Sequence, residues 1–159
     1  MQIQITYATL YDVVERSLSI IGKRSVDDNG NLLFKDITLG TREQEIAYDY
    51  FRAAIVHVAA ELREYVTGET RATDSYTLTL TLDADANSHL EDTIRQAVND
   101  YAVAYALYSW FTVTAPRIHD KYLAEAKDAM VYLTYQVKHR QRPSSLPNPL
   151  RERVDPSDT

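Results

Sequence analysis

Residues 41–68 read TREQEIAYDYFRAAIVHVAAELREYVTG and carry the clearest structural signal in the chain. The segment opens on Thr41 with Gln44 three residues later, which is the spacing of a capping box at a helix N-terminus. Behind the capping box, apolar residues recur at the three- and four-residue spacing of a helix: Ala47, Phe51, Ala54, Ile55, Val58, Leu62 and Tyr65. This pattern predicts a helix with one buried face, ended by Gly68.

Three further segments show the same periodicity, and we predict helices over residues 9–21, 88–112 and 116–137. Thr9 suits the start of the first and Gly22 its end. The apolar stripe of the first helix comprises Leu10, Val13, Val14, Leu18 and Ile21. Ser88 and Glu91 form a second capping box, and Pro116 is predicted to be the first residue of the last helix. The chain therefore predicts a core of four helices.

Residues 73–82 replace the helical spacing with a strict alternation. The apolar positions are Tyr76, Leu78, Leu80 and Leu82, and threonine or serine fills the positions between them. A period of two predicts a half-buried strand. Its backbone needs a partner, and three remain open: residues 32–39, the same segment folded as a hairpin, or a neighbouring subunit. In the last case Tyr76, Leu78 and Leu80 belong to a subunit interface.

The composition changes sharply near the C-terminus. Four of the five prolines are Pro143, Pro147, Pro149 and Pro156. We predict a helical domain over residues 1–141 and an extended, proline-rich C-terminal arm over residues 142–159. The candidate contact residues of this region are Arg140, Arg142, Leu146, Leu150, Arg151 and Arg153. The alternative is a frayed terminus. The predicted fold class is mainly α, with a four-helix core, one inserted strand or short β-hairpin, and this arm.

Charge separates the predicted domain from the arm. The chain has a net charge of −6, and nearly all of its acidic residues precede residue 138. An acidic body disfavours wrapping of nucleic acid, because phosphate binding needs cations. The N-terminal residues lack the pattern of a signal peptide, and no apolar run approaches the length of a membrane helix. The absence of cysteine excludes disulfides and thiolate metal sites.

Residues that could carry catalysis are present but form no recognisable motif. His57 and Glu61 share a helix face, yet two ligands are too few for a metal site and no HExxH follows. His119 and Asp120 are sequence neighbours, so we expect their side chains to point apart on a helix. No phosphate-binding loop is visible. We therefore expect no enzymatic activity, no catalytic residues, no metal and no cofactor.

The third predicted helix is rich in aromatic residues, including Tyr101, Tyr105, Tyr108, Trp110 and Phe111. One interpretation is a helix packed on most sides, with tyrosine hydroxyls at its margins. The other is a subunit interface, where tyrosine and tryptophan are enriched because they bury large areas and keep a polar group. Both interpretations remain open.

The arrangement resembles the head–tail connector proteins of tailed phages, also called adaptor or head-completion proteins, and the neck ring proteins of crAss-like phages. The residues that carry the resemblance are LYDVVERSLSIIG at 10–22, DYAVAYALYSWF at 100–111, YLAEA at 122–126 and RQRP at 140–143. The resemblance covers most of the chain as architecture.

The resemblance implies a structural subunit of the virion neck, assembled in the host cytoplasm and not associated with a membrane. Such subunits form a homo-oligomeric ring, commonly of twelve copies, between portal and tail or neck proteins. DNA passes through the lumen without specific binding, and the family has no catalytic residues. Two other classes stay open from the sequence: a small helical regulatory or adaptor protein, and a hydrolase with an unmarked site.

Overall fold

The computed structural model describes residues 1–24, 41–82 and 88–138, and these form four helices and a small sheet. The prediction of a mainly helical fold with a strand or hairpin inserted is confirmed. The elements are β1 (Gln2–Thr6), α1 (Tyr7–Arg24), α2 (Thr41–Glu61), β2 (Val66–Arg71), β3 (Ser75–Leu80), α3 (Ser88–Thr114) and α4 (His119–Lys138). The predicted arm and the possible strand at residues 32–39 lie outside the described residues. The prediction that Gly22 ends the first helix is wrong, because α1 continues to Arg24.

The sheet settles the partners of the predicted strand. Its order is β1-β3-β2, with both neighbours antiparallel to β3. Ile3 lies opposite Leu78 and Ile5 opposite Tyr76 on one side, and Glu69 lies opposite Leu78 on the other. Both edges of β3 are therefore filled by strands of the same chain. Pairing of this strand with a neighbouring subunit, one of the three open alternatives, is wrong because neither edge is free.

Strand β1 has an alternation that matches its burial. Ile3 and Ile5 are buried, while Gln2, Gln4 and Thr6 are exposed. The chain passes directly from β1 into α1, so that helix begins at Tyr7 rather than at Thr9. The backbone N–H of Tyr7 donates to the carbonyl of Asp74 at 2.9 Å. This bond ties the start of α1 to the turn between β2 and β3 and satisfies one of the free donors of the helix N-terminus.

The prediction that Gly68 ends the second helix is wrong, because α2 ends at Glu61 and Gly68 lies within β2. The ladder between β2 and β3 has an irregularity between Val66 and Gly68. A Cβ on Gly68 would lie 3.5 Å from both Cβ and Oγ1 of Thr79, which is ordinary contact. The glycine therefore marks a bulged strand, a role that glycine also takes, and not a helix end.

The junction between α3 and α4 also differs from the prediction. Helix α3 continues to Thr114, and α4 begins at His119 rather than at Pro116. Between the two helices, the N–H of Ile118 donates to the carbonyl of Ala115 at 3.1 Å. Pro116 lies in this turn, where its missing N–H costs nothing.

One hydrophobic core joins the helices to the sheet, and α3 packs against all three other helices. Its largest fully buried side chains include Tyr7, Phe51, Ile55, Leu62, Ile94 and Phe111. Each large apolar side chain that is fully buried contributes about 1.5–3 kcal/mol before ordering entropy is subtracted. All buried residues of the described chain fall between Ile3 and Val137.

Candidate interaction surface

The strand residues predicted as interface candidates lie in the core. Tyr76 and Leu78 are fully buried and Leu80 is 1% exposed. Their side chains face the interior of one chain, and the edges of their strand are paired with β1 and β2. The interface role predicted for Tyr76, Leu78 and Leu80 was argued from an open strand edge, and both edges of this strand are paired within the chain. Their role is to join the sheet to the helical core.

The hydroxyl of Tyr76 belongs to a small polar network at the outer end of the sheet. It donates to Oε2 of Glu69, and Nε of Arg71 donates to the Tyr76 oxygen at 3.2 Å. A second guanidinium nitrogen of Arg71 lies 3.2 Å from Oε2 of Glu69. The hydrogen bond from Tyr76 and that from Arg71 hold the pKa of Glu69 below its usual value. The carboxylate of Glu69 balances the charge of Arg71, so the network is not an anion-binding site. Its hydrogen bonds connect β2 to β3.

The other candidates, Arg140, Arg142, Leu146, Leu150, Arg151 and Arg153, lie outside the described residues. Their contact role stays a prediction. The described body nevertheless offers two apolar surfaces on which such a segment could bind.

The first surface is a groove of about 610 Å³ formed by α1, α3 and α4, called here the α1–α4 groove. Its apolar lining includes Val13, Ile20, Ile21, Val103, Leu107, Ile118, Tyr122 and Ala129. Ile20 is 48% exposed and Val13 is 40% exposed, so two large apolar side chains of α1 are partly accessible to solvent. Helix α3 contacts both α1 and α4, and its small residue Ala104 lies in the groove.

The polar groups of the α1–α4 groove are few, namely two carboxylates, one lysine and one serine. Asp100 accepts a hydrogen bond from Nε2 of Gln96 at 2.7 Å, so its described partner is neutral. Nζ of Lys121 lies 3.6 Å from Oε1 of Glu125, one turn further along α4. Ser17 completes the polar lining. An apolar groove with a few charged groups at its rim is typical of a site that binds a peptide segment.

The second surface is on the last turns of α4 and comprises Val131, Tyr132 and Tyr135, called here the α4 patch. Val131 is 69% exposed and Tyr135 is 56% exposed. Beside the patch is a hollow of about 600 Å³ that Met130 and Thr134 also line. Exposed aromatic and β-branched side chains this close together are more typical of an interface than of free surface.

The aromatic residues of α3 are largely occupied within the chain. The ring of Tyr105 contacts those of Tyr101, at 6.0 Å between centroids, and Tyr108, at 6.1 Å. His57 packs edge-on against Tyr105 at 5.0 Å, and Phe111 stacks on Tyr122 at 5.2 Å. Burial raises the pKa of Tyr101 to about 12. The structure therefore favours the packed helix over the interface for this stretch.

The histidines and their acidic neighbours have ordinary contacts. Glu61 pairs with Lys138 at 3.6 Å and shares no bond with His57 among the described contacts. Nε2 of His119 lies 3.3 Å from Oδ1 of Asp120, so the expectation that these side chains point apart is wrong. The first turn of a helix allows such neighbours to meet, since its side chains are not confined by a preceding turn. Within the described ranges, no group of three or more His, Asp or Glu side chains is arranged to hold a metal.

Comparisons with known proteins add no relative. No family model, no curated protein and no solved structure matches the chain. Among the described helices, none is both long enough and apolar enough to span a membrane.

Proposed function

We propose that the protein is a structural subunit of a phage neck, a non-enzymatic head–tail connector that forms a ring between portal and tail proteins. The observation that carries the proposal is the apolar surface left on a well-packed body, namely the α1–α4 groove and the α4 patch. Burial of such surfaces between copies is what drives stable oligomers. The two surfaces lie on different parts of the molecule, which suits a heterologous, ring-forming contact.

The charge distribution supports the same proposal. The whole chain has a net charge of −6, but residues 138–153 hold five lysine or arginine residues against the single acidic residue Glu152. A subunit that lines a DNA channel needs weak contact with phosphates, and an acidic body keeps that contact weak. The cationic segment is then available for acidic surfaces of neighbouring proteins.

The α1–α4 groove also favours a second candidate function, a helical adaptor that binds a partner peptide in a groove. The two candidates differ in what the purified chain does alone. Negative-stain electron microscopy of the full chain is expected to show rings with rotational symmetry. Monodisperse monomers that capture a short peptide in the groove would instead support the adaptor.

A further inference from the structure

We propose that the α1–α4 groove is the acceptor site for the C-terminal arm of a neighbouring copy. The inference rests on the proposed function, since it names the contact that would join successive subunits of the ring. The occupant is the segment from Leu146 to Val154, whose apolar residues Leu146, Leu150 and Val154 are the candidate anchors.

The chemistry of the segment matches that of the groove. Its three apolar residues recur every four positions, and Arg151 and Arg153 lie between the last two. The groove combines exposed Val13 and Ile20 with the carboxylates of Asp100 and Glu125. Asp100 has a neutral partner in Gln96, so a guanidinium from the segment would supply its counter-charge. Proline restricts the unbound segment, which lowers the entropy lost when it is ordered.

The length of the chain beyond α4 permits the contact. Helix α4 ends at Lys138, and the segment up to Leu146 is eight residues further on. At about 3.1 Å per residue, an extended chain covers about 25 Å over that distance. The α4 residues that line the groove run from Lys121 to Ala129, about 12 Å at 1.5 Å per residue. That length accommodates two neighbouring anchors about 12 Å apart, whereas all three would extend over about 25 Å.

Disulfide trapping tests the proposal cleanly, because the chain contains no cysteine of its own. One full-length variant carries Ser17→Cys in the groove, and a second, differently tagged, carries Leu150→Cys. The matched control replaces Ser17→Cys with Val113→Cys, a position that is 77% exposed and does not line the groove. Under mild oxidation we expect a covalent heterodimer from the first pair at several times the yield of the control pair.

The outcomes separate the inference from the proposed function. Equal yields for groove and control cysteines, in a protein that is still a ring, would overturn the inference and leave the proposed function standing. A Ser17→Cys/Leu150→Cys double variant that cross-links only within single chains would overturn it too, since the arm would then bind its own groove. A monomeric wild-type chain, together with cysteine variants that form the heterodimer on mixing, would support the groove contact and count against the ring. In a complementary test, Val13→Asp/Ile20→Asp should shift the ring to monomer mass, whereas Val113→Asp should not.

Discussion

The hydroxyl of Tyr76 donates to the carboxylate of Glu69 across the β2–β3 ladder, and Arg71 contacts both groups. Tyr76 thus has its ring in the core and its oxygen in a surface network. Through this one side chain, the buried face of the sheet is connected to the polar network that joins β2 and β3.

Replacing Tyr76→Phe keeps the ring and removes the donor. We expect a loss of about 1 kcal/mol in the free energy of unfolding, the usual worth of one hydrogen bond.

Because the Tyr76 bond is the largest cause of the lowered pKa of Glu69, that pKa should rise towards its usual value of 4.5 in the variant. A carboxyl with a lowered pKa stabilises the fold above its unfolded pKa and loses that effect as the pH falls. The stability gap between wild type and variant should therefore shrink below about pH 4.5. Urea unfolding at pH 7 and pH 3.5 measures the difference in free energy of unfolding between wild type and variant at each pH. A difference that grows on acidification would contradict the hydrogen bond from Tyr76 to Glu69.

Leu78 tests the position of β3 in the core. The side chain is fully buried and its strand is paired on both edges. Leu78→Ala should lower the free energy of unfolding by about 2–5 kcal/mol, the range for truncating a buried leucine. The matched control is Val113→Ala, whose side chain is mostly exposed and should change stability by less than about 0.5 kcal/mol. Similar losses for the two variants in chemical denaturation would show that β3 is not the central strand.

Alkaline pH should destabilise the fold through its buried tyrosines. Burial raises the pKa of Tyr7, Tyr11, Tyr76, Tyr101 and Tyr122 above 10.0. A group with a raised folded pKa contributes stability below its unfolded pKa and loses it as the pH rises. The free energy of unfolding should thus fall above about pH 10. Spectrophotometric titration should show fewer than the 12 tyrosines ionising before the protein unfolds. Complete ionisation of all tyrosines in the folded state would contradict the burial described.

Removal of the arm should separate folding from assembly. A chain truncated after Gln141 keeps every core residue of the described structure, since the last is Val137. Its helicity and melting temperature should match those of the full chain, whereas its assembly should weaken. Circular dichroism and sizing on the same samples measure the two effects.

A matched control keeps the full length and tests the charges alone, by changing to Gln the residues Arg140, Arg142, Arg151 and Arg153. Assembly of this variant should become insensitive to salt. Unchanged assembly of the truncated chain at low and high salt would mean that the arm is a frayed end.

The helices could be predicted from sequence because their apolar residues recur with the helical period over many turns. Their ends were less predictable. Tyr65 fits both the helical spacing of α2 and the turn that follows it, and nothing local separates the two. Gly68 suits a helix end as well as a bulged strand, and only the pairing with Thr79 distinguishes them. Strand β1 carries the alternation of Ile3 and Ile5, but five residues are too few to indicate a strand without knowledge of its partner.

The candidate surface was harder to predict than the fold. Val13 belongs to the apolar stripe of α1, and the sequence alone assigns it to the core with Leu10 and Val14. The structure buries Leu10 and Val14 and leaves Val13 in the α1–α4 groove. Which part of a wide apolar stripe is covered depends on where neighbouring helices cross, and this is a tertiary property.

Native mass spectrometry of the full chain over a range of concentrations measures whether the protein assembles into a closed ring. We expect one dominant species with a fixed, high number of copies of the 18.2 kDa chain, because a ring stops growing when it closes. Val13→Asp/Ile20→Asp should convert that species to monomers of unchanged helicity. A wild-type chain that remains monomeric at every concentration would contradict ring assembly, and so would an open-ended series of oligomers.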